Sequence, residues 1–263
     1  MKKELNLMIT PAEFPVPLII LPETDSTNNY LTQLCNEQQS AVREFTTVIA
    51  ERQTAGKGQR GNSWESEDCR NITFSFVLYP TFIEARRQFI LSQIVSLSIK
   101  EELDKWTKGI SIKWPNDIYW NEKKICGILI ENDLSGHHIG RSISGIGVNI
   151  NQETFRSDAP NPVSLKQITG QEHERYLILA NIMRRLKEYY ILLQTGSSGN
   201  AANCIAERYA RSLFRREGFH RYADADGEFL ARLLCVEPDG RFILEDQAGK
   251  VRGYLFKEVQ YIL

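Results

Sequence analysis

The sequence lacks a strong charge of either sign and has few of the residues that build metal sites. Its 263 residues include 32 Lys and Arg against 33 Asp and Glu, so no global basic field is present to bind nucleic acid non-specifically. The five cysteines are scattered without a CxxC pair, and the four histidines form no HExxH motif. These absences argue against a zinc site and against a disulfide framework.

Long apolar runs are also missing. The longest apolar stretches, such as ITFSFVLYP at residues 72–80, fall far short of the roughly 18 to 20 residues that a membrane-spanning helix requires. The N-terminus has no apolar segment of the kind found in secretory signal peptides. Because scattered cysteines also fit a reducing compartment, we predict a cytoplasmic protein that does not associate with membranes.

Strand and helix patterns alternate through the first 217 residues. Helical spacing of apolar residues covers 26–38, 82–106, 174–194 and 203–218, and strand patterns cover 17–23, 46–53, 71–80, 109–114, 117–134 and 141–150. Consecutive strands with helices between and after them predict an α+β domain, in which helices cover a mixed or largely antiparallel sheet.

The pattern changes near Gly218. From there the sequence alternates with a period of two and carries Asp-Gly turn signals at 226–227 and 239–240, which predicts short antiparallel strands. We therefore predict two domains, a main domain over residues 1–217 and a small β-barrel-like domain over residues 218–263.

A glycine-rich loop follows the second predicted strand, in the segment ERQTAGKGQRGNSW at residues 51–64. It formally matches the dinucleotide-binding pattern GxGxxG, but it leads into a strand, whereas a dinucleotide-binding loop opens a helix. It also lacks the Lys-Ser/Thr pair of a P-loop. Its glycines could bring backbone N–H groups onto an anion, Lys57 and Arg60 could neutralise that anion, and Trp64 offers a flat apolar face. A solvated surface loop is an equally good interpretation.

Two further motifs place lysines at strand ends. In SIKWPNDIYW, Lys113, Asn116 and Asp117 suit a phosphate, a purine or ribose edge, and a metal ion, although an Asx turn beside a chance lysine also explains the pattern. In EKKICGILIEN, Lys124 projects at the mouth of a strand, and Gly127 within that strand suggests a close approach of a ligand or backbone. A buried hairpin strand flanked by lysines is the alternative.

Short polar groups occur at two other positions. Ser26, Thr27 and Asn28 open the first helix, where such residues usually serve as caps but could also bind a neutral polar ligand head. Asn149 ends the strand in GIGVNIN, where its amide could bind a ligand or form a turn.

Taken in order, the motifs TDSTNN, QTAGKGQRGNSW, KWPNDI, KKICGILIE and GIGVNIN closely resemble those of the biotin protein ligase family, over about residues 20 to 152. The resemblance implies the class II synthetase-like domain that biotin and lipoate ligases share, followed by a small SH3-like barrel. It also implies a reaction in which biotin and ATP give biotinyl-5'-AMP and pyrophosphate. The adenylate then acylates one lysine of a biotin carboxyl carrier domain.

The resemblance assigns roles to particular residues. Lys124 would lie between the biotin carboxylate and the phosphate, and Lys113 would meet phosphate, so these two are the predicted catalytic residues. The predicted biotin-binding residues are Ser26, Thr27, Asn28, Gln53, Gly56, Lys57, Gly58, Gln59, Lys124 and Gly127. The predicted ATP-binding residues are Lys57, Arg60, Trp64, Lys113, Asn116, Asp117 and Asn149, with Asp117 also a ligand for Mg²⁺.

Two other functions remain as alternatives. A lipoate or octanoate ligase has the same fold, although the polar set Ser26, Thr27 and Gln53 favours a ureido head. A non-catalytic biotin-binding regulator is the second alternative, but it would not need Lys124, Lys113 and Asp117.

The motifs begin by residue 21, ahead of which repressor members of the family carry a helix-turn-helix domain. We therefore predict no DNA binding, while both a monomer and a homodimer remain open.

The sequence departs from the family at the glycine loop and at its C-terminus. Many members carry Arg at the positions of Lys57 and Gln59, and some carry a C-terminal Arg that reaches the adenine, whereas the tail KEVQYIL has none. With fewer bidentate cations over the adenylate, we predict measurable release of free biotinyl-AMP. Added amine nucleophiles should trap it, and an assay that detects no trapped product would contradict the prediction.

Overall fold

The computed structural model describes residues 13–38, 41–59, 62–157, 159–196 and 200–262. These residues form a seven-stranded sheet with helices on both faces and a second, five-stranded sheet. The elements of the first part are β1 Leu18–Leu21, α1 Thr27–Glu37, β2 Thr47–Ala50, β3 Ile72–Leu78, α2 Phe89–Leu103, β4 Ile110–Lys113, β5 Asp117–Trp120, β6 Lys123–Ser135, β7 His138–Val148, α3 Leu165–Thr169, α4 Arg175–Thr195 and α5 Asn200–Arg211. The second sheet comprises β8 His220–Asp224, β9 Gly227–Val236, β10 Phe242–Asp246, β11 Val251–Tyr254 and β12 Gln260–Tyr261.

The first sheet is mixed, as predicted. Its strand order is β1-β2-β3-β7-β6-β5-β4. The β1–β2 pair is parallel and the remaining pairs are antiparallel. All the strand patterns found in the sequence correspond to observed strands, and the α+β prediction is confirmed.

The two faces of this sheet are packed differently. One face carries large side chains such as Phe74, Phe76 and Ile146, which pack with α2 and α4 in the main core. On the other face, Val48, Val77 and Ile143 pack with α1 in a smaller cluster. Because side chains alternate along a strand, the residues in step with Val77 and Ile143 face α1. These include Ser75 and Gly145, which are paired across β3 and β7. The α1 face therefore carries small residues at these positions, which leaves space beside the helix.

The second sheet is antiparallel throughout, in the order β11-β10-β9-β8-β12. It begins at His220, close to the predicted boundary at residue 217, which itself stays a prediction. No helix of the described residues is long and apolar enough to cross a membrane.

Three local predictions differ from the structure. The helix expected over 82–106 begins only at Phe89, after a separate 3-10 turn at Ala85–Arg87. The last helix was expected to continue to 218, but it ends at Arg211. The next residues instead bond to β4, since the Phe214 N–H donates to the carbonyl of Ile112 over 2.8 Å. The short helix α3 was not predicted; Ser164 and Gln167 form its capping box, and Gly170 ends it in a left-handed conformation.

Trp114 joins the two sheets. Its ring stacks on Phe242 of β10 with centroids 4.8 Å apart, and its Nε1–H donates to the carbonyl of Gly240 over 3.0 Å. Gly240 has φ +93°, and a Cβ there would lie 2.7 Å from the Phe89 ring of α2. The turn before β10 therefore fits against the main core only because residue 240 has no side chain.

We predict that Gly240→Ala destabilises the protein by about 2 to 4 kcal/mol, because it combines a positive-φ penalty with a steric clash. Gly249→Ala is the matched control, since Gly249 has φ +79° but nothing within 4 Å of its added Cβ. Denaturant unfolding of both variants measures the difference, and equal losses for the two would show that the contact with Phe89 contributes nothing.

Candidate active site

A cavity of about 740 Å³ opens on the α1 face of the first sheet. Its walls come from the start of α1, the glycine loop, strands β5 to β7, residues 157, 159 and 160, and the segment between β11 and β12. Eleven of the predicted site residues line it: Ser26, Thr27, Asn28, Gln53, Lys57, Gly58, Gln59, Trp64, Asp117, Lys124 and Gly127. The structure thus brings motifs that are up to about a hundred residues apart into one site.

The remaining predicted residues have other positions. Gly56, Lys113 and Asn116 do not line the cavity but contact residues that do, as described below, and Asn149 lies directly after β7, outside the lining. Arg60 lies outside the described residues.

One end of the cavity is uncharged and hydrogen-bonding. The Thr27 backbone N–H donates to Oε1 of Gln53 over 2.9 Å, which leaves the Gln53 side-chain N–H groups for a ligand. Ser26 occupies the N-cap position of α1, yet its side chain makes no capping bond. Of the two interpretations of this motif, the structure therefore favours a ligand-binding role for the Ser26 hydroxyl, which is buried beside the cavity.

Two residues behind this end were missed in the sequence. Ser75 of β3 is fully buried and lies 2.7 Å from the Thr27 hydroxyl and 2.5 Å from Oδ1 of Asn28. Glu131 of β6 accepts a hydrogen bond from Nδ2 of Asn28 over 2.8 Å. The only sequence signal for Ser75 is that a serine interrupts the apolar ITFSFVL strand. Its contact with α1 becomes evident only from the strand register.

Strand glycines form the floor of the cavity and Trp64 packs on them. Gly127 and Gly147 are paired across β6 and β7, and a Cβ at Gly147 would lie 2.2 Å from the Trp64 indole. At Gly127 the corresponding distance is 2.7 Å. The close approach predicted at Gly127 is therefore present, and the group that approaches is Trp64.

The glycine loop is a hairpin in its described part. The Trp64 N–H donates to the carbonyl of Gly56 over 2.9 Å, and the Gly58 N–H donates to that of Asn62 over 2.7 Å. A Cβ at Gly56 would lie 2.5 Å from the Trp64 carbonyl oxygen. Gly56 thus allows the two arms of the hairpin to approach each other.

Side chains of the hairpin bind both sides of the cavity. On the α1 side, Nζ of Lys57 lies 2.5 Å from Oδ1 of Asn29. On the β6 side, Nε2 of Gln59 donates to Oδ1 of Asn116 and to the carbonyl of Ile128, each over 3.2 Å. The uncharged Gln59 therefore attaches the hairpin to the KWPNDI segment and to β6.

The opposite end of the cavity is charged. Nζ of Lys124 lies 2.7 Å from Oδ2 of Asp117 and 5.9 Å from the centre of the Trp64 ring. Each side chain of the ion pair is about one-third exposed, so both groups remain accessible to a ligand.

Lys113 lies behind this ion pair, directly opposite Asp117 across β4 and β5. Its Nζ donates to the Tyr119 hydroxyl over 3.1 Å and lies 5.0 Å from the centre of the Tyr261 ring. Burial lowers the pKa of the Lys113 ammonium, although Asp117 opposes that shift.

The second sheet also reaches the cavity. Phe256 and Lys257, in the segment between β11 and β12, are among its lining residues. The tail carries no arginine and no residue of the barrel was predicted in the site, whereas Lys257 lines the cavity and supplies a cation there. The sequence signal for this cation was the lysine that begins KEVQYIL, which is Lys257.

Asn149, directly after β7, has an unused acceptor. Its backbone N–H donates to the carbonyl of Ile125, and its Nδ2 donates to the carbonyl of Val163. Its Oδ1 is buried without a hydrogen-bond partner, and such atoms are uncommon in proteins. Within the described residues, no group of three or more His, Cys, Asp or Glu side chains could by itself hold a metal ion.

Comparison with known proteins gives consistent matches. The model of the biotin/lipoate A/B protein ligase family matches residues 20–149. The biotin acetyl-CoA-carboxylase ligase of Paracoccus denitrificans is 29% identical over 88% of this chain and 95% of its own length. The bifunctional ligase/repressor BirA of Bacillus spizizenii is 28% identical over 90% of this chain and 72% of its own length.

A solved structure gives the same result. The biotin protein ligase from Aquifex aeolicus, in complex with biotin and ATP, superposes with a TM-score of 0.75 at 27% identity, over 94% of this chain and 99% of that one. Through residues 20–149 the chain belongs to the biotin/lipoate A/B protein ligase family, as the order of its motifs predicted.

Proposed function

We propose that this protein is an ATP-dependent biotin–protein ligase. It would activate biotin as biotinyl-5'-AMP and transfer the biotinyl group to a lysine of a biotin carboxyl carrier domain. The observation that carries the proposal is the position of Lys124, whose ammonium lies at the charged end of a cavity with an uncharged hydrogen-bonding opposite end. The names of the relatives support the same reaction.

The two ends of the cavity match the two ends of biotin. A ureido ring both donates and accepts hydrogen bonds without carrying charge, and Ser26, Thr27 and Gln53 offer such partners. A carboxylate needs a cation, which Lys124 supplies. The dithiolane of lipoate and the methyl end of octanoate would leave these polar groups unpaired, which costs binding energy.

In the first step a carboxylate oxygen attacks the α-phosphorus of ATP. The new bond joins that oxygen to phosphorus, while the bond to the β-phosphate breaks and pyrophosphate leaves. Two anions must approach each other, so a cation held between them stabilises the transition state. Lys124 takes this role, and Lys113 adds positive charge from behind Asp117. Direct contact of Lys113 with phosphate stays a prediction.

In the second step the amine of the acceptor lysine attacks the acyl carbon of the adenylate. An amide bond forms, the bond between the acyl carbon and the phosphate oxygen breaks, AMP leaves, and the amine loses a proton. The protein has to align the amine and exclude water from the mixed anhydride. Trp64 and the hairpin, which already covers the cavity from both sides, suit that task.

The nucleotide would bind at the charged end. Among the lining residues, Lys257 supplies a cation and Phe256 and Trp64 supply flat apolar faces. Lys57 adds a second cation from the α1 side, where it contacts Asn29. Mg²⁺ is usually held by one or two protein carboxylates together with substrate phosphates. The carboxylate of Asp117 is an oxygen donor of that kind, and the unpartnered amide Oδ1 of Asn149 is an uncharged oxygen donor. Mg²⁺ bound by them would neutralise phosphate charge.

The acceptor would be the carrier domain of a biotin-dependent carboxylase, as the name of the Paracoccus relative suggests. We place the reaction in the cytoplasm and assign residues 1–217 to the catalytic domain and residues 218–263 to a small SH3-like barrel. Both a monomer and a homodimer are compatible with this proposal.

Pyrophosphate exchange into ATP tests the activation step directly. Purified protein with Mg²⁺ should catalyse exchange with biotin and should not do so with lipoate or octanoate. Exchange with lipoate alone would show that the protein is a lipoate ligase. Absence of exchange with every acid would favour a regulator that binds biotin.

Lys124→Ala should reduce biotin-dependent exchange by at least about 100-fold, because it removes the cation between two reacting anions. Lys123→Ala is the matched control: Lys123 is the preceding residue of β6, is exposed, and does not line the cavity. Exchange at the wild-type rate in Lys124→Ala would overturn the assignment of this residue.

A further inference from the structure

The side chain of Asn28 is held on three sides at the uncharged end of the cavity. Its Oδ1 lies 2.5 Å from the Ser75 hydroxyl, and its Nδ2 lies 2.8 Å from a carboxylate oxygen of Glu131. A Cβ at Gly145 would lie 2.2 Å from Oδ1, so the amide rests directly against the backbone of β7. Asn28 itself is 3% exposed.

Strand register brings these groups together. Ser75 is paired with Gly145 across β3 and β7, and Gly145 is paired with Leu129 across β7 and β6. Glu131 lies two residues beyond Leu129 and therefore faces the same side of the sheet. The start of α1 then places Asn28 above this part of the sheet.

Glu131 fixes which way the amide points. A carboxylate only accepts hydrogen bonds, so the NH₂ group of Asn28 has to face Glu131 and the carbonyl oxygen has to face Ser75. The single hydroxyl proton of Ser75 is then donated to Asn28. The Thr27 hydroxyl lies 2.7 Å from Ser75 Oγ and 3.2 Å from Oε1 of Gln53. Because Ser75 has no proton left, the shorter contact is a hydrogen bond only if Thr27 donates to Ser75, and Gln53 Oε1 then keeps the Thr27 backbone N–H as its donor.

The chain of hydrogen bonds ends at the cavity. With its proton directed to Ser75, the Thr27 oxygen presents lone pairs to a ligand. An acceptor at that position suits an N–H group and disfavours a ligand whose only polar atom there is an acceptor.

We propose that Glu131 is a positioning residue that sets the direction of the chain Thr27–Ser75–Asn28 and so selects an N–H donor in the ligand head. This inference rests on the proposed function, in which that donor is a ureido N–H of biotin. Glu131 is exposed and does not line the cavity, so its effect reaches the ligand only through Ser75 and the two residues of α1.

The test is Glu131→Gln, which preserves shape but can donate as well as accept. The amide of Asn28 is then free to reverse, and we expect KM for biotin in pyrophosphate exchange to rise about three- to tenfold, as for loss of a single hydrogen bond. The kcat and the KM for ATP should change less than twofold. Asp133→Asn is the matched control, because it makes the same change two residues along β6, on an exposed carboxylate that pairs with Arg141.

A double-mutant cycle separates this role from general destabilisation. Ser75→Ala breaks the chain between Asn28 and Thr27, so Glu131→Gln should change KM for biotin less than twofold in that background. Thermal unfolding of each variant checks folding. An unchanged KM for biotin in Glu131→Gln would overturn the inference about Glu131 but not the proposed function. Equal effects of Glu131→Gln in the wild type and in Ser75→Ala would do the same. Failure of the wild type to catalyse biotin-dependent exchange would instead remove the proposed function and the inference that rests on it.

Discussion

The site depends on the pairing of β6 with β7. In that register Gly127 lies opposite Gly147, and Gly145 lies opposite Leu129. Three of these four neighbouring positions on the α1 face therefore have no side chain. A shift by one residue would turn Ile128 and Ile146 to this face and fill the space. The other face of the same strands is packed with α2 and α4, which fixes the register. A well-packed core on one face thus maintains an open cavity on the other.

The elements around the cavity use this open face in different ways. Trp64 packs onto Gly127 and Gly147, whereas Asn28 rests against Gly145. Both approaches are closer than any Cβ would allow. The glycines therefore do not serve turns here; they set how deeply a side chain from another element can enter the sheet. The hairpin and the start of α1 take their positions from these contacts, and the segment between β11 and β12 adds Phe256 and Lys257 to the lining of the site.

Much of the fold could be predicted from the sequence, and the site in part. Alternation and helical spacing are local, so all the strands of the main sheet and the long helices were predictable. Motif order located Lys124, Asp117, Gln53 and Trp64, because each belongs to a short signature. Ser75 and Glu131 could not be found in the same way, since their roles depend on the pairing of three strands. The early end of α5 likewise follows from a bond to β4 that no local pattern encodes.

The two ends of the cavity differ in how firmly their groups are held. At the uncharged end, Thr27 and Asn28 are both buried and hydrogen-bonded to the buried Ser75, and rearranging such a network leaves buried groups unpaired. At the charged end, Lys124 and Asp117 form one partly exposed ion pair, a type of contact that contributes about 1 kcal/mol or less. An arriving anion can therefore displace Asp117 from Lys124 at low cost, whereas the opposite end keeps its pattern of donors and acceptors. This division suits a site that must recognise one head group rigidly while its cation changes partners during a reaction.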